Sequence, residues 1–516
     1  MKAKVNQEKI NNILWSACDV FRGTIEADKY KDYILSLLFV KYLSDTYKEK
    51  EEELQKKYGH DPILFNFYRD KEHQFKLDSE STFDYMYDNR NNPEIGTTMN
   101  KVLSRIESLN ESKLKGIFGT VNFDSKENLG EKKSRNALLK TVLERFNNED
   151  LDLSPSRVGK EDVIGNAYEY LIKHFASTAG KKGGEFYTPP EVSYLLAKLL
   201  KPKENDRIYD PTAGSGSLML TSAKEVGSNK FSLYGQEKNG STYSLLRMNM
   251  FLHGITDAKL AWGDTLSDPD FTDRKFNIIV SNPPYSLKYW DQGFSSEELV
   301  DETGKSKSNF KMKAEYDPHK RFDFGVPPSS KGDYAFILHI LHCLAEDGKA
   351  GVVLPHGVLF RGAQEGKIRK KIIEANFIDA VIGLPEDVFY GTNIPTCIIL
   401  FKKNRERKDV LFVDASSCYV KDNDNKNKLV EIDKIVKAYE DYKDIDKFAY
   451  VASLEEIEEN DYNLNIPRYV DTFDEEEIID LEENLRNIKS IKEELSVVEV
   501  EIDKYLKQLG LTEGGK

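Results

Sequence analysis

The tetrapeptide Asn282-Pro283-Pro284-Tyr285 carries the clearest chemistry of the sequence and directly follows the apolar run 277–281. Proline fixes its own φ angle and has no N–H to donate, so this turn is stiff and its carbonyl oxygens remain free acceptors. The side-chain oxygen of Asn282 and the carbonyl oxygen of Pro283 can both face an NH2 group, which favours a lone pair on that nitrogen. Tyr285 offers a flat face to an aromatic base. We predict that these four residues are catalytic, although a structural turn would explain a proline pair by itself.

A glycine-containing loop, Asp210-Pro-Thr-Ala-Gly214-Ser-Gly216-Ser217, lies between a predicted strand and a helical run. Glycine lets the backbone approach a ligand closely because it has no Cβ. Ligands of open α/β sheets bind beyond the carboxyl ends of the strands. The spacing matches neither the dinucleotide fingerprint nor a phosphate-binding loop, and a tight turn is the alternative. The candidate cofactor-binding residues here are Asp210, Gly214, Ser215, Gly216 and Ser217, and we expect a side chain at Gly214 or Gly216 to occupy cofactor space.

Two further carboxylates follow predicted strands. Glu237 ends the strand after the glycine loop, where a carboxylate can accept two hydrogen bonds from a ribose diol. A surface glutamate without function is the alternative. Asp264, in Gly263-Asp-Thr265, can accept from an adenine amino group, whereas an Asx turn or a helix cap would also explain it. Both residues are candidate cofactor ligands.

The elements that must position these residues alternate between short apolar runs and helical segments, from the glycine-rich stretch 177–184 to about residue 415. Alternation of this kind is typical of a mainly parallel sheet with helices on both faces. The predicted strands are 207–209, 231–236, 258–262, 278–281, 350–354, 378–382 and 396–401. The predicted helices are 161–175, 190–199, 218–225, 241–252, 335–344 and 366–374.

The first 153 residues have a different character. Apolar residues recur at helical spacing from about residue 8 to residue 58, and further helical runs follow at 103–114 and 137–146. This region has no glycine-rich phosphate loop and no catalytic cluster. We predict a helical packing domain at 1–153, a catalytic domain at 154–470 and a helical tail at 471–516.

The tail carries a heptad-like seam of apolar residues, spaced 3-4-3-3-4-3-4-3-4. A seam of this length requires a second helix against it. The seam consists of Ile478, Leu481, Leu485, Ile488, Ile491, Leu495, Val498, Ile502, Tyr505 and Leu509.

Charge and cysteine content limit the function classes. The net charge is −14 and the isoelectric point about 5.3, which disfavours strong nucleic-acid binding by this chain alone. Residues 471–516 contribute −8 of that charge, since they hold 14 acidic and 6 basic residues. The four cysteines are scattered without metal-ligand spacing, so we expect reduced thiols, no metal and a cytoplasmic protein. Cys418 lies in a polar stretch and is expected to be exposed, and the other three buried. We find no membrane-spanning run and no signal peptide.

The order of these motifs resembles that of amino-group methyltransferases, whose catalytic tetrapeptide is (N/D)PP(Y/F/W). The segment Gly184-Glu-Phe-Tyr-Thr-Pro-Pro190 resembles the one that wraps the methionine end of S-adenosylmethionine in these enzymes. Its position before the glycine loop is similar to the gamma arrangement of DNA methyltransferases. The resemblance adds the following candidate cofactor-binding residues: Glu185, Phe186, Tyr187, Thr188, Pro189, Pro190 and Asn282.

Over nearly the whole chain, the sequence resembles the modification (M) subunit of type I restriction-modification systems. The matching stretches are Gly184–Pro190, Gly235-Gln-Glu237, Leu354-Pro-His-Gly-Val-Leu-Phe360, Gly383-Leu-Pro385 and Asn463-Leu-Asn-Ile-Pro-Arg-Tyr469. The resemblance implies a Rossmann-like α/β methyltransferase core with an N-terminal helical domain and a C-terminal coiled-coil-like helix. It also implies methylation of adenine N6 in DNA, a specificity subunit that reads the sequence, a second copy of the chain, and in some systems a restriction or translocase subunit.

The implied reaction is an in-line displacement in which adenine N6 attacks the sulfonium methyl group, so positioning supplies much of the acceleration. The adenine must leave the duplex stack. The basic-leaning insertion 305–321 is expected to order over DNA phosphates or to stay a solvated loop. An N4-cytosine methyltransferase, a protein-glutamine or RNA methyltransferase, and a non-catalytic scaffold remain alternatives. The tail seam is expected to dock on the specificity subunit, with folding back on the N-terminal helices as the alternative.

Overall fold

A computed structural model describes residues 6–22, 25–119, 121–159, 162–178, 187–294, 312–390, 392–422, 426–472 and 481–510. The chain forms two compact units, Met1–Val470 and Asp471–Lys516. Several predicted features lie outside the described residues: Glu185, Phe186, Ile478 and the stretch 305–311 of the basic insertion.

The N-terminal third of the chain is helical, as predicted. Its longest helix has 32 residues, and shorter helices pack around it. The helix Ile95–Leu109 shows why: its buried side chains recur every three or four residues and form one apolar face. These helices are α1 (Gln7–Asp19), α2 (Ala27–Tyr58), α3 (Pro62–Glu72), α4 (Phe83–Asp88), α5 (Ile95–Leu109), α6 (Glu111–Leu114), α7 (Lys126–Leu129), α8 (Lys132–Phe146), α9 (Pro155–Val158) and α10 (Val163–Thr178).

A sheet of nine strands follows, in the spatial order β11-β8-β6-β7-β5-β4-β1-β2-β3. The pairs β1–β2, β1–β4, β2–β3, β4–β5 and β6–β8 are parallel, whereas β7 and β11 run antiparallel to their neighbours. A separate two-stranded ribbon pairs β9 with β10. The strands are β1 (Arg207–Asp210), β2 (Ser232–Glu237), β3 (Lys259–Trp262), β4 (Phe276–Ser281), β5 (Leu344–Pro355), β6 (Ile378–Gly383), β7 (Thr396–Lys402), β8 (Val410–Asp414), β9 (Tyr419–Lys421), β10 (Asn427–Leu429) and β11 (Ala449–Ala452).

The remaining helices alternate with these strands, which confirms the predicted α/β architecture. All seven predicted strands are present, and four more, β8 to β11, were not predicted. The helices are α11 (Pro190–Leu200), α12 (Ser217–Val226), α13 (Gly240–Leu252), α14 (Asp333–Cys343), α15 (Gly357–Phe360), α16 (Ala363–Glu374), α17 (Ile432–Asp441), α18 (Leu454–Glu459) and α19 (Leu481–Gln508).

The core of the helical region extends into the sheet region. The same buried cluster contains Leu245 and Met248 of α13, together with Tyr187 and Tyr390. Arg247 of α13 also donates hydrogen bonds to the carbonyl oxygens of Lys113 (2.7 Å) and Lys115 (2.8 Å), at the end of α6. The helical region therefore packs directly against α13.

The second unit contains α19, on which the described residues of the predicted seam, from Leu485 to Leu509, are exposed. The side chain of Leu481 lies outside the described residues. Among the residues that the structure describes, no helix is both long and apolar enough to span a membrane.

All four cysteines are buried free thiols. The expected exposure of Cys418 is therefore wrong: only 1% of the residue is exposed. Cys418 is buried because it packs in the hydrophobic cluster that also includes Leu429 of β10 and Ile435 of α17. Burial raises the pKa of both Cys18 and Cys343 to about 12.

Candidate active site

The glycine loop joins β1 to α12 at the carboxyl end of the sheet. Gly214 and Gly216 have φ angles of 55° and 86°, a left-handed conformation that glycine adopts without steric cost. A Cβ on Gly216 would come within 2.4 Å of Met250 Cε and 2.6 Å of Leu246 Cδ1. The structure thus gives a different reason for glycine at 216 than the expected one, because the added Cβ would strike α13 instead of entering cofactor space.

Glu237 closes the loop from the next strand. Its Oε2 accepts a hydrogen bond from the backbone N–H of Gly214 at 2.9 Å, and its Oε1 accepts one from Asn239 at 2.8 Å. Burial raises the pKa of Glu237. Glu237, the residue predicted to bind the ribose, therefore contacts the predicted glycine loop. Its carboxylate still has lone pairs that can accept hydrogen bonds from a diol.

Asp210 ends β1 and is 1% exposed. Its Oδ1 accepts a hydrogen bond from the N–H of Thr212 at 2.9 Å. Burial, together with the nearby Glu237 carboxylate, raises the pKa of Asp210 to about 8. Two neighbouring carboxyl groups with raised pKa values fit a ligand that carries positive charge.

Asp264 lies in a compact turn after β3. Its Oδ1 accepts from the N–H of Leu266 at 3.0 Å, and its Oδ2 pairs with Lys238 Nζ at 2.7 Å. The Asx turn considered as an alternative is thus present. The role of Asp264 toward an adenine ring stays a prediction.

Arg321 anchors the residues that follow Asp264. Its guanidinium group donates to the carbonyl oxygens of Thr265 (2.9 Å) and Leu266 (2.6 Å) and forms an ion pair with Asp317 at 2.9 Å. The Arg321 side chain is only 1% exposed. The insertion 305–321 was expected either to order over DNA phosphates or to stay a solvated loop; Arg321 fits neither alternative, because its side chain is buried in this ion pair.

Asn282 follows β4 directly. Its Nδ2 donates a hydrogen bond to Thr188 Oγ1 at 3.1 Å, and its Oδ1 accepts one from the hydroxyl of Tyr285 at 2.9 Å. Thr188 belongs to the predicted cofactor segment, so the structure joins that segment to the catalytic tetrapeptide. The two contacts hold the amide of Asn282 in one orientation.

Tyr285 packs edge-to-face against Phe389, with ring centroids 6.3 Å apart and an interplanar angle of 85°. Burial raises the pKa of Tyr285, so its hydroxyl stays protonated and acts as a donor. Phe389 lies between β6 and β7 and was not predicted as a site residue from the sequence. The resemblance stretch Gly383-Leu-Pro385, a few residues before it, was the signal for this loop.

The described residues of the predicted cofactor segment differ in their surroundings: Tyr187 packs in the core, whereas Pro189 and Pro190 begin α11. Tyr187 is buried in the helical core, 6.1 Å from Tyr390 between ring centroids, so its side chain serves packing. Pro189 caps α11 and Pro190 is its first residue, which fits the preference for proline at helix starts.

Two links connect the glycine loop to its surroundings. The hydroxyl groups of Thr212 and Ser281 lie 2.8 Å apart, so the loop after β1 contacts the last residue of β4. Asn249 Nδ2 donates to the carbonyl oxygen of Ser215 at 2.9 Å, which ties the loop to α13. The predicted cofactor loop and catalytic turn therefore adjoin along one sheet edge, where a bound cofactor and an aromatic amine can meet.

Comparison with known proteins supports this arrangement. A family model described as N-6 DNA Methylase matches residues 159–478, and one described as HsdM N-terminal domain matches residues 10–146. The methylase subunit of the type I restriction enzyme MpnII from Mycoplasma pneumoniae is 34% identical over 511 residues, covering 91% of this chain and 90% of the relative. The methylase subunit of MjaVIII from Methanocaldococcus jannaschii is 34% identical over 520 residues, covering 95% and 83%.

Solved structures give the same picture. The methyltransferase subunit of a type I restriction-modification system from Streptococcus thermophilus superposes with a TM-score of 0.78 at 38% identity. The match covers 91% of this chain and all of that one.

Proposed function

The chain belongs to the N-6 DNA methylase family, and from this membership we propose that it is the modification subunit of a type I restriction-modification system, acting on adenine N6 in the cytoplasm. The observation that carries the proposal is the placement of Asn282 between Thr188 and Tyr285 at the carboxyl end of β4. The glycine loop and Glu237 lie on the neighbouring strands of the same sheet edge.

The residues of this edge fit S-adenosylmethionine, the methyl donor of the family. Glu237 supplies a carboxylate suited to a ribose diol, and Asp264 supplies one suited to an adenine amino group. Asp210 is buried and Glu237 is half-buried, and a cationic ligand relieves the repulsion by which the Glu237 carboxylate helps to raise the pKa of Asp210. When bound, S-adenosylmethionine supplies an electrophilic methyl group.

The catalytic turn acts on the target base. Asn282 Oδ1 and the Pro283 carbonyl oxygen accept hydrogen bonds from the adenine amine, which keeps the lone pair of the nitrogen available for attack. Thr188 fixes the orientation of the Asn282 amide. Tyr285 stacks on the extruded base, and the T-shaped contact with Phe389 holds the Tyr285 ring in place. Orientation thereby provides most of the acceleration.

DNA recognition requires partners in this proposal. The chain carries a net charge of −14, which opposes binding to a phosphate backbone. A specificity subunit reads the DNA sequence and docks on α19, a second copy of this chain completes the methylating complex, and a restriction subunit joins where cleavage occurs. We also propose that the first unit consists of a helical domain, residues 1–153, and a catalytic domain, residues 154–470.

The alternatives are less well supported. An N4-cytosine enzyme usually has serine in place of Asn282. A protein-glutamine or RNA methyltransferase accounts poorly for the match to type I modification subunits from residue 10 to residue 478. A scaffold without activity leaves the contacts around Asn282 unexplained.

The decisive test is reconstitution. The chain is expressed with its specificity subunit, alone, or not at all, and the DNA of each culture is sequenced for modified bases. We expect N6-methyladenine at one sequence motif, present only with both subunits. Methylated cytosine, or methylation by the chain without any partner, would contradict the proposal.

A further inference from the structure

Ser286, the residue after the catalytic tetrapeptide, has a left-handed backbone with a φ angle of 52°. Residues with a Cβ adopt this conformation at a cost and keep it only where neighbouring groups enforce it. Ser286 therefore requires a structural cause, and its conformation determines how the chain leaves Tyr285.

Asp333, the first residue of α14, supplies that cause. Its Oδ1 accepts a hydrogen bond from the backbone N–H of Ser286 at 2.8 Å. The adjacent Gly332 donates its N–H to the carbonyl oxygen of Leu287 at 2.9 Å. The amino end of α14 thus holds the chain on both sides of the bond between Ser286 and Leu287, and it favours the negative charge of Asp333.

Arg361 completes the arrangement from the loop after α15. Its NH1 group donates to Asp333 Oδ2 at 2.7 Å, and its NH2 group donates to Ser286 Oγ at 3.2 Å. The guanidinium group of Arg361 therefore contacts both Asp333 and Ser286, the residue that Asp333 holds. The planar fork of arginine suits this double contact, whereas lysine offers a single point charge.

Buried surroundings fix Arg361 in turn. The Asp333 side chain is fully buried and that of Arg361 is 18% exposed. Glu365 Oε1 accepts a second hydrogen bond from Arg361 NH1 at 3.1 Å, and Arg369 NH1 donates to the Arg361 carbonyl oxygen at 2.8 Å. A Cβ on Gly357 would come within 2.5 Å of the Arg361 guanidinium. Side chain and backbone are both held.

We propose that Asp333 and Arg361 are positioning residues for methyl transfer: together they enforce the left-handed conformation of Ser286 and so set the catalytic turn. They act through Ser286 and touch no reacting atom. The inference rests on the proposed function for its effect on turnover, but the enforced conformation itself is testable without any activity.

Two variants separate positioning from general stability. Asp333→Asn is isosteric, yet it weakens the contact to Ser286 and removes the ion pair with Arg361. Asp379→Asn is the matched control, because Asp379 forms a similarly buried ion pair with Arg405 at 3.0 Å. Asp379 lies at the beginning of β6, which runs parallel to β4. It is therefore at the amino ends of the strands, whereas the catalytic turn follows the carboxyl end of β4.

The first arm measures hydrogen exchange of residues 282–290 in the cofactor-free subunit. We expect faster exchange at Ser286 in Asp333→Asn and no change there in Asp379→Asn. Unchanged exchange in Asp333→Asn would overturn the proposal whether or not the protein methylates DNA.

The second arm measures turnover in the reconstituted complex. Asp333→Asn should lower kcat about tenfold or more, as misplacement of a reacting group does, with cofactor affinity within about twofold of the parent. Adding Ser286→Gly to Asp333→Asn should restore part of kcat, because glycine adopts the left-handed conformation without help. Equal losses in the two single variants, or no recovery in the double variant, would overturn the positioning role. A parent complex that fails to methylate DNA contradicts the proposed function instead, and the exchange arm still decides the conformation.

Discussion

The hydroxyl group of Tyr285 donates a hydrogen bond to the side-chain oxygen of Asn282 at 2.9 Å. That oxygen is the acceptor proposed for the target amine, so the ring that stacks on the base also restrains the group that activates it. An amide oxygen has two lone pairs and can accept from both donors. The turn is therefore organised before a base enters.

Replacement of Tyr285 separates its ring from its hydroxyl. We expect Tyr285→Phe to change kcat by less than about tenfold, since the loss of one hydrogen bond contributes roughly 1 kcal/mol. Tyr285→Ala should lower kcat/KM for DNA at least about tenfold, since stacking of a base on an aromatic ring contributes about 1–3 kcal/mol. Steady-state methyl transfer by the reconstituted complex measures both. Similar losses in the two variants would mean that the hydroxyl matters more than the stacking face.

Asn282 should be essential for transfer and dispensable for the cofactor. We expect Asn282→Ala to abolish methylation and to leave S-adenosylmethionine affinity nearly unchanged, because the side chain faces the target amine. Calorimetry with the cofactor alongside a transfer assay provides the check, and undiminished transfer by Asn282→Ala would refute the catalytic assignment.

Thr188→Val removes the acceptor that orients the Asn282 amide. In the same transfer assay it should reduce kcat by roughly tenfold, the size of one lost hydrogen bond in a site that depends on orientation.

The Arg321 anchor should affect cofactor binding more than turnover. Arg321→Lys keeps the charge but cannot reach Asp317 and both carbonyl oxygens with the same fork of donors. We expect weaker cofactor binding and a kcat close to that of the parent at saturating cofactor. A lower kcat with unchanged cofactor affinity would show that the loop after Asp264 does not hold the adenine ring.

Asp210 should make stability depend on pH. Burial raises its pKa from 3.8 to about 8, so the folded state binds an extra proton relative to the unfolded state between these values. The stability of the cofactor-free protein then falls as pH rises through this window. Asp210→Asn has no carboxyl group to titrate here. The free energy of unfolding of the variant, minus that of the parent, should therefore be larger at pH 8 than at pH 4 by a few kcal/mol (~1.4 kcal/mol for each unit of pKa shift). Denaturant unfolding at several pH values measures the difference, and a constant offset would contradict the raised pKa.

The tail should be needed for assembly alone. Truncation after Val470 removes the second compact unit, and we expect intact cofactor binding but no complex and no site-specific methylation. Leu495→Glu places a negative charge on the exposed apolar seam. Lys504→Glu is the control, because residue 504 lies on the opposite face of α19 from residue 495. Only the first should prevent co-purification with the specificity subunit. Full assembly by the truncated chain would favour the tail folding back on the N-terminal helices.

The sequence predicted those parts of the fold that depend on local pattern. Apolar strands followed by loops with glycine, glutamate or proline placed Gly214, Glu237 and Asn282 at one sheet edge, and the structure brings them there. The strands β8 and β11 escaped prediction because their pairing is set by contacts distant in sequence, such as Ala449 with Val413.

The supporting contacts of the site could not be predicted from the sequence. Asp333 and Arg361 lie 47 and 75 residues from Ser286, and nothing in their neighbours signals a contact with the turn. Arg321 resembled an exposed basic residue because burial of a charge depends on a partner, Asp317, and on carbonyl oxygens that only the folded chain supplies.

The burial of all four native thiols has a practical consequence. Thiol-reactive dyes attack exposed thiolates, and thiols with a pKa near 12, such as Cys18 and Cys343, present almost none at neutral pH. A single cysteine introduced on the surface, for example in place of Lys504 on α19, would therefore take up label selectively without prior removal of the native cysteines. Fluorescence from that label would report docking of the tail in real time.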